Sequence, residues 1–231
     1  MGSMGELVLA IETSNPSSGG EPGVALGELS AGGVRKIGIE PIGPGQRHDD
    51  LLMPAIDRVM RGAGHSPGEL DRILCSVGPG GYTGLRIATA AANVVALATG
   101  ARLFAVPSAW VAAAAEPGDK PIAVALASKG ETCHLTRFER PGEPGDAGRL
   151  IGAAAIQSLD VGVLIADRFL PESIREACVK SDIEIREPKL SPGVLLGLAG
   201  IGLERSVGSL APLYGREAEA IVRWRELHGD G

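Results

Sequence analysis

Aromatic residues are scarce in this 231-residue chain: three Phe, two Tyr and two Trp, 3% of the total. A surface that stacks bases needs several such rings, so their scarcity argues against a dedicated nucleic-acid platform. An excess of basic residues is missing too. Twenty-two Lys and Arg stand against 28 Asp and Glu, a formal net charge of -6. That is the wrong sign for a chain that grips phosphates over a wide area, so any RNA handled here is expected to be held mainly by another subunit. Cys75, Cys133 and Cys178 are odd in number, far apart and off metal-ligand spacing, which reads as reduced thiols. No apolar run approaches the roughly 20 residues of a membrane span. The first residues carry no signal-peptide pattern, so a cytoplasmic protein without membrane contact is expected.

What is present is a core-forming composition. Hydrophobic residues make up 44% of the chain, mostly Ala, Val, Leu and Ile. The length suffices for one large domain or two small lobes. Leu7-Val8-Leu9-Ala10-Ile11 reads as a buried strand that delivers Glu12-Thr13-Ser14 to its carboxyl end. After a Ser/Gly/Pro loop, Val24 to Leu29 returns as its hairpin partner and Val34 to Ile39 as a third strand. Leu51, Leu52, Ala55, Ile56, Val59 and Met60 line one side of a helix from His48, which starts late or kinks at Pro54. Ser66 with Glu69 has the capping-box spacing. Arg72 to Val77 is a second buried strand, followed by a glycine block and an alanine-rich helix over Thr83 to Ala98, with Gly100 as its stop.

Leu103 to Val106 and a short helix through Ala115 close the first half, and a lobe boundary fits Glu116 to Pro121. The second half opens with strands Ile122 to Ala127 and Thr132 to Phe138, passes a polar loop from Arg140 to Gly148 and a short helix, and reaches the strand Val161 to Ala166. Helices are expected near Pro171 to Lys180 and Pro192 to Arg205, on either side of Ile183-Glu184-Ile185. The tail from Pro212 to Trp224 has no strong period. Each half opens with a paired-strand unit, so two related α/β lobes are expected, residues 1–116 and 117–231.

The stretch Gly78 to Arg86, GPGGYTGLR, lies between strand and helix, where amides and the helix dipole can hold an anion. The same glycines equally suit a tight turn that binds nothing. Two phosphate fingerprints fail here. Gly84 is followed by Leu85-Arg86 rather than Lys and a hydroxyl residue, and Thr83 stands where a third Rossmann glycine belongs. Glu12-Thr13-Ser14 has the acid and hydroxyls that actin-like ATPases use for metal and phosphate, though a polar strand end looks the same. His48, His65, His134 and His228 have no partners at ligand spacing, so no metal and no cofactor are expected. No Gly-x-Ser-x-Gly elbow is present.

Taken in order, these stretches resemble the TsaB (YeaZ-like) family. The resemblance runs through Leu9 to Ser14, Arg47-His48 with Leu52-Met53-Pro54, Gly78 to Ile87, Val106-Pro107-Ser108 and, more faintly, Pro212-Leu213-Tyr214-Gly215-Arg216. It implies an α/β fold of the actin-like ATPase superfamily, two ribonuclease-H-like lobes with the second reduced. It also implies a chain without chemistry of its own. Such a chain pairs through a helical bundle with a TsaD-like subunit, which transfers threonylcarbamoyl to the adenosine next to the tRNA anticodon. A TsaE-like ATPase is the further implied partner, tRNA is met only indirectly, and the chain alone is expected to form a homodimer.

Departures from the family pattern suit a scaffold. Glu12 stands for Asp, the loop Pro16 to Pro22 is lengthened, Asp49 follows the histidine, and Leu126-Ala127-Ser128 replaces a charged Asp-Ala-Arg. Glu12, Thr13, Ser14, Gly78, Gly80, Gly81 and Thr83 are therefore expected to form a vestigial nucleotide site. The helices from His48 and Thr83 are expected to meet the partner through His48, Leu52, Ile56, Val59, Arg86, Ala88, Ala91, Ala92 and Val95, because small residues at three- and four-residue spacing let another helix approach closely. Competing readings are a free-standing actin-like ATPase or small-molecule kinase, which should keep acids near both phosphate loops, and a peptidase, for which metal set and nucleophile motif are both lacking.

Overall fold

A computed structural model describes residues 5–14, 20–43 and 48–215, and for 48–50 the backbone alone. Arg47, Arg216, most of the first loop and the tail beyond Gly215 lie outside the described residues. The first strand, β1 (Glu6–Glu12), is flanked on one side by antiparallel β2 (Gly23–Ser30), which pairs in turn with β3 (Gly33–Pro41). Helix α1 (His48–Gly62) follows, then a 3-10 turn at Pro67–Glu69 and β4 (Arg72–Ser76), parallel to β1. Next come α2 (Tyr82–Thr99), β5 (Arg102–Val106) and α3 (Ser108–Ala114).

The second sheet is built from β6 (Ile122–Lys129), β7 (Thr132–Phe138), β8 (Arg149–Ile151) and β9 (Val163–Ala166), followed by α4 (Glu172–Lys180) and β10 (Glu184–Arg186). Helix α5 (Pro192–Gly197) and β11 (Leu203–Arg205) then return to the first sheet. The sheets have the orders β11-β5-β4-β1-β2-β3 and β10-β9-β6-β7-β8.

Strand burial explains why the central runs are continuously apolar. In β1, Leu7, Leu9 and Ile11 enter the core under α1 and α2, while Val8 and Ala10 enter a second core that also holds Trp110, Val124, Leu126, Leu195 and Leu196. A strand covered on both faces has no need of polar alternation. That second core joins the inner faces of both sheets through α3 and α5. A third core, with Ala123, Ala125, Leu164, Ile174 and Cys178, lies under α4 on the outer face of the second sheet.

Helix α1 starts at His48 and runs through Pro54. Proline removes one helical hydrogen bond, but Leu52, Ala55, Ile56, Val59 and Met60 are all buried and Pro54 faces outward. Burying five such side chains outweighs one lost bond. The helix expected over Pro192 to Arg205 is corrected: it stops at Gly197. Gly197, Gly200 and Gly202 weaken helical propensity, and Leu203, Glu204 and Arg205 instead pair with Ala105, Phe104 and Leu103 on the open edge of β5. Gly202 lies against Phe104, whose Cβ would be 3.0 Å from any Cβ added there. The three-residue β8 has no expectation in the sequence; only pairing with Cys133, His134 and Leu135 makes it a strand.

Candidate functional site

The carboxyl end of β1 carries Glu12, Thr13 and Ser14, each with at most 1% of its surface exposed. Glu12 Oε1 accepts from Ser14 N at 2.7 Å and from Ser14 Oγ at 2.5 Å. Its other oxygen is buried without a hydrogen bond of full geometry. Ser76, at the end of β4, faces the carboxyl, and Ser76 Oγ lies 2.9 Å from Ser108 Oγ at the start of α3. Burial raises the Glu12 pKa above the ordinary 4.5, and the bonds from Ser14 and Ser76 offset this only in part. The neighbouring Cys75 thiol is pushed up as well, chiefly by burial and then by the Glu12 charge. It is an inert core thiol rather than a nucleophile.

The glycine block meets this strand end directly. Thr13 Oγ1 donates to Gly84 O at 2.9 Å, and the Gly81 amide donates to Ser14 O. Gly80 is glycine of necessity, since a Cβ there would sit inside van der Waals contact of Ser14 O. Gly78 has φ +104° and accepts from Ser108 N at 2.8 Å. A Cβ on it would come within 2.8 Å of both Leu213 O and a Leu85 methyl. The Gly78–Pro79 peptide is cis. The structure thus brings Glu12, Thr13, Ser14, Gly80 and Gly81 together, with the Gly81 amide occupied by Ser14. Thr83 stands exposed in the first turn of α2.

The second sheet holds an acid that the sequence reading missed. Asp167 follows β9 and is 3% exposed. Its Oδ1 accepts from Phe169 N at 2.9 Å, and its carboxyl also takes the Ala127 amide. Ala127 is left-handed at φ 52°, where β6 and β7 lose register between Leu126 and Lys129. Burial raises the Asp167 pKa, countered first by those two amides and then by Arg175 and Arg168. The signal was present, since Val161 to Ala166 delivers Asp167 just as the first strand delivers Glu12. Among the described residues no group of three or more His, Cys, Asp or Glu could hold a metal, and no helix is long and apolar enough to cross a membrane.

The expected partner face needs correction. Leu52, Ile56, Val59, Ala88, Ala91, Ala92 and Val95 are all buried in the chain's own first core, between α1, α2 and the sheet. Their small size allows α2 to lie close to β4 and to α1. The outward side of α2 carries Arg86, Ala90, Val94 and Leu97, the last 77% exposed, and α1 adds Met53. Val94 and Leu97 were legible as a second apolar stripe, because a helix apolar on both sides has two faces to cover. His48 begins α1, and its side chain lies outside the described residues. Arg86 lies over the Tyr82 ring at 5.3 Å, and Tyr82 stacks on Tyr214 with centroids 5.4 Å apart.

A family model described as TsaD, tRNA N6-adenosine threonylcarbamoyltransferase, matches residues 33–160, which is 128 of the 231 positions. No curated protein matches the sequence. Among solved structures, YeaZ from Pseudomonas aeruginosa superposes with a TM-score of 0.64 at 19% identity, over 90% of this chain and 99% of that one. An uncharacterized protein with similarity to peptidase YeaZ, also from Pseudomonas aeruginosa, gives 0.65 at 20% identity, over 91% and 100%. These likenesses carry the fold, two sheets of mixed α/β make in the actin-like manner, while the family match covers more than half the sequence. The chain is thus YeaZ-like in fold, and it belongs to the TsaD family.

Proposed function

We propose that this chain is a non-catalytic, activating subunit of the complex that adds threonylcarbamoyl to the adenosine next to the tRNA anticodon. Family membership ties it to that modification. The observation that carries the non-catalytic part is the closure of the strand end onto the glycine block. Gly81 spends its amide on Ser14, Gly80 packs against the Ser14 carbonyl, and Glu12 is buried among hydroxyls. A nucleotide phosphate would have to displace the backbone of Ser14, and a metal would have to be held by one buried carboxyl with a raised pKa. In this reading Glu12, Thr13, Ser14, Gly78, Gly80 and Gly81 are the remnant of a phosphate site turned to packing, and Thr83 is its exposed edge at the start of α2.

The partner is a TsaD-like catalytic subunit, met through the outward stripe of α2, Ala90, Val94 and Leu97, together with Met53 of α1. Apolar patches of this kind seldom stay uncovered, so the chain alone self-associates through the same face. A TsaE-like ATPase joins the pair, and the acidic chain meets tRNA only through its partners.

The test is reconstitution with a TsaD-like protein. The pair co-purifies and supports threonylcarbamoyl transfer to tRNA, Leu97→Glu abolishes pairing while leaving the fold intact, and the chain alone turns over no ATP. Steady ATP hydrolysis lost on Glu12→Ala would instead establish the kinase-like reading. A folded Leu97→Glu chain that still pairs would remove α2 from the interface.

A further inference from the structure

From β11 to Gly215 the chain runs back as a strap along α2 and into the cleft between the two sheets. Asn93 of α2 clips it, accepting from Gly208 N at 2.8 Å and donating to Leu210 O at 2.9 Å. Leu210 is buried in the first core. Leu213 N then donates to Val77 O at 2.6 Å, just past the end of β4. Two residues later a Cβ on Gly215 would lie 3.2 Å from Pro79 Cβ on one side and from His134 Cβ on the other. The strap therefore passes between the glycine block of the first sheet and β7 of the second. Below it lies a cavity of about 230 Å³, walled by Pro79, Pro107, Trp110, His134, Thr136 and Leu213 itself.

The two ends of the strap are held differently. Leu210 is buried and clipped, whereas Leu213 and Tyr214 are 42% and 50% exposed. The outer end is tied by the Leu213 amide and by the stack of Tyr214 on Tyr82, itself 58% exposed at the first residue of α2. The chain has two tyrosines, and both are spent on this one contact. An exposed stack is a weak tie compared with a buried one, and low-stability segments of this kind open locally while the core stays folded.

We propose that residues 210–215 are a latch that shuts the cavity between the two sheets, and that its hold on Tyr82 makes the amino end of α2 the trigger that opens it. Closed, the strap fills the space facing Gly78 and Pro79 with the chain's own backbone. Open, it exposes Trp110 and the apolar cavity wall to solvent. The device needs no partner protein, so its test is independent of the reading given above.

The experiment uses the full chain carrying Trp224→Phe, which leaves Trp110 as the only tryptophan. In that background Trp110, 7% exposed, is shielded from acrylamide. Tyr82→Ala and Tyr214→Ala each raise its quenching and speed exchange of the Leu213 amide about fivefold, the change expected from losing one aromatic stack. Leu213→Pro removes the N–H that donates to Val77 O and raises quenching further. Ala98→Gly, exposed near the far end of the same helix and away from the strap, changes neither readout. Tyrosine variants that stay folded with Trp110 quenching and Leu213 exchange at the parental level would overturn the proposal. So would an equal response in Ala98→Gly, which would mean that α2 loosens as a whole. If Leu213→Pro fails to fold, the two tyrosine variants decide alone.

Discussion

The two sheets each end a central strand in a buried acid, and the two acids live differently. Glu12 is wholly enclosed; its bonds come from Ser14 and Ser76, its second oxygen is orphaned, and among the described residues no cation lies against it. Asp167 sits nearer the surface, takes the amides of Phe169 and Ala127, and feels Arg175 and Arg168. Burial raises both pKa values, yet Asp167 takes two amides with two arginines nearby, whereas Glu12 takes one amide, that of Ser14, and otherwise hydroxyls. Amides cannot give up their protons, so they favour the anion, whereas hydroxyls turn to serve either form. The neutral acid is thus better accommodated at Glu12 than at Asp167, whose carboxyl caps the left-handed turn at Ala127. In both places an acid at the end of a strand is tied into the fold by hydrogen bonds from its own neighbourhood.

The strongest way to break the Glu12 side of this comparison is to wedge it open. Gly80→Ala forces a Cβ onto the Ser14 carbonyl and should cost about 3 kcal/mol, at the upper end for overpacking. Gly130→Ala, in the second hairpin, has φ +56° and nothing within 4 Å, so only backbone strain of about 1 kcal/mol applies. Denaturant titration of the two variants measures the difference. Equal losses would remove close approach as the reason for Gly80.

Amide substitutions come next. Asp167→Asn places an NH₂ group toward backbone donors and should cost about 2 kcal/mol, the range for a buried unsatisfied group. Glu12→Gln keeps the Oε1 acceptor and should cost less than about 1 kcal/mol by the same reasoning. The reverse order would mean that Glu12 is the charged acid of the pair.

The pH dependence follows from the same contrast. The folded chain holds the Glu12 proton to a higher pH than the unfolded chain, whose carboxyl titrates near 4.5. The unfolded state therefore binds fewer protons in that window, and stability falls as pH rises from 4.5 through the raised folded value. Glu12→Gln should flatten this decline in melting curves taken from pH 4.5 upward. An unchanged slope would assign the decline to Asp167, whose shift has the same sign. Smallest of all, Ala127→Gly relieves a left-handed alanine and should stabilise the second hairpin by about 0.5 kcal/mol, read as a small rise in melting temperature.

Much of the fold was legible because its signals are local. The apolar runs at Leu7 to Ile11 and Arg72 to Val77, the helix stripe from Leu52 to Met60, and Gly100 at φ 78° beyond α2 all follow from period, burial and backbone sterics. The candidate site was half legible. Glu12-Thr13-Ser14 and the glycine block could be named, but not their mutual contact, because Thr13 and Gly84 lie 71 positions apart. The inner stripe of α2 was mistaken for a docking face because small residues permit either kind of close packing, and only the sheet beneath shows which helix side it takes.

By itself, then, the sequence determined the order and kind of nearly every element, and it carried the family resemblance in motif order. Those properties depend on residues a few positions apart, where sterics and hydrophobic period suffice. Only the tertiary structure decided that the Gly81 amide is taken by Ser14, that Asp167 caps the turn at Ala127, and that Tyr214 comes back to stack on Tyr82. Each of these joins groups 40 or more positions apart in the chain. Whether an amide, an acid or a ring is free to bind something else depends on what packing has already placed against it, and no local pattern records that.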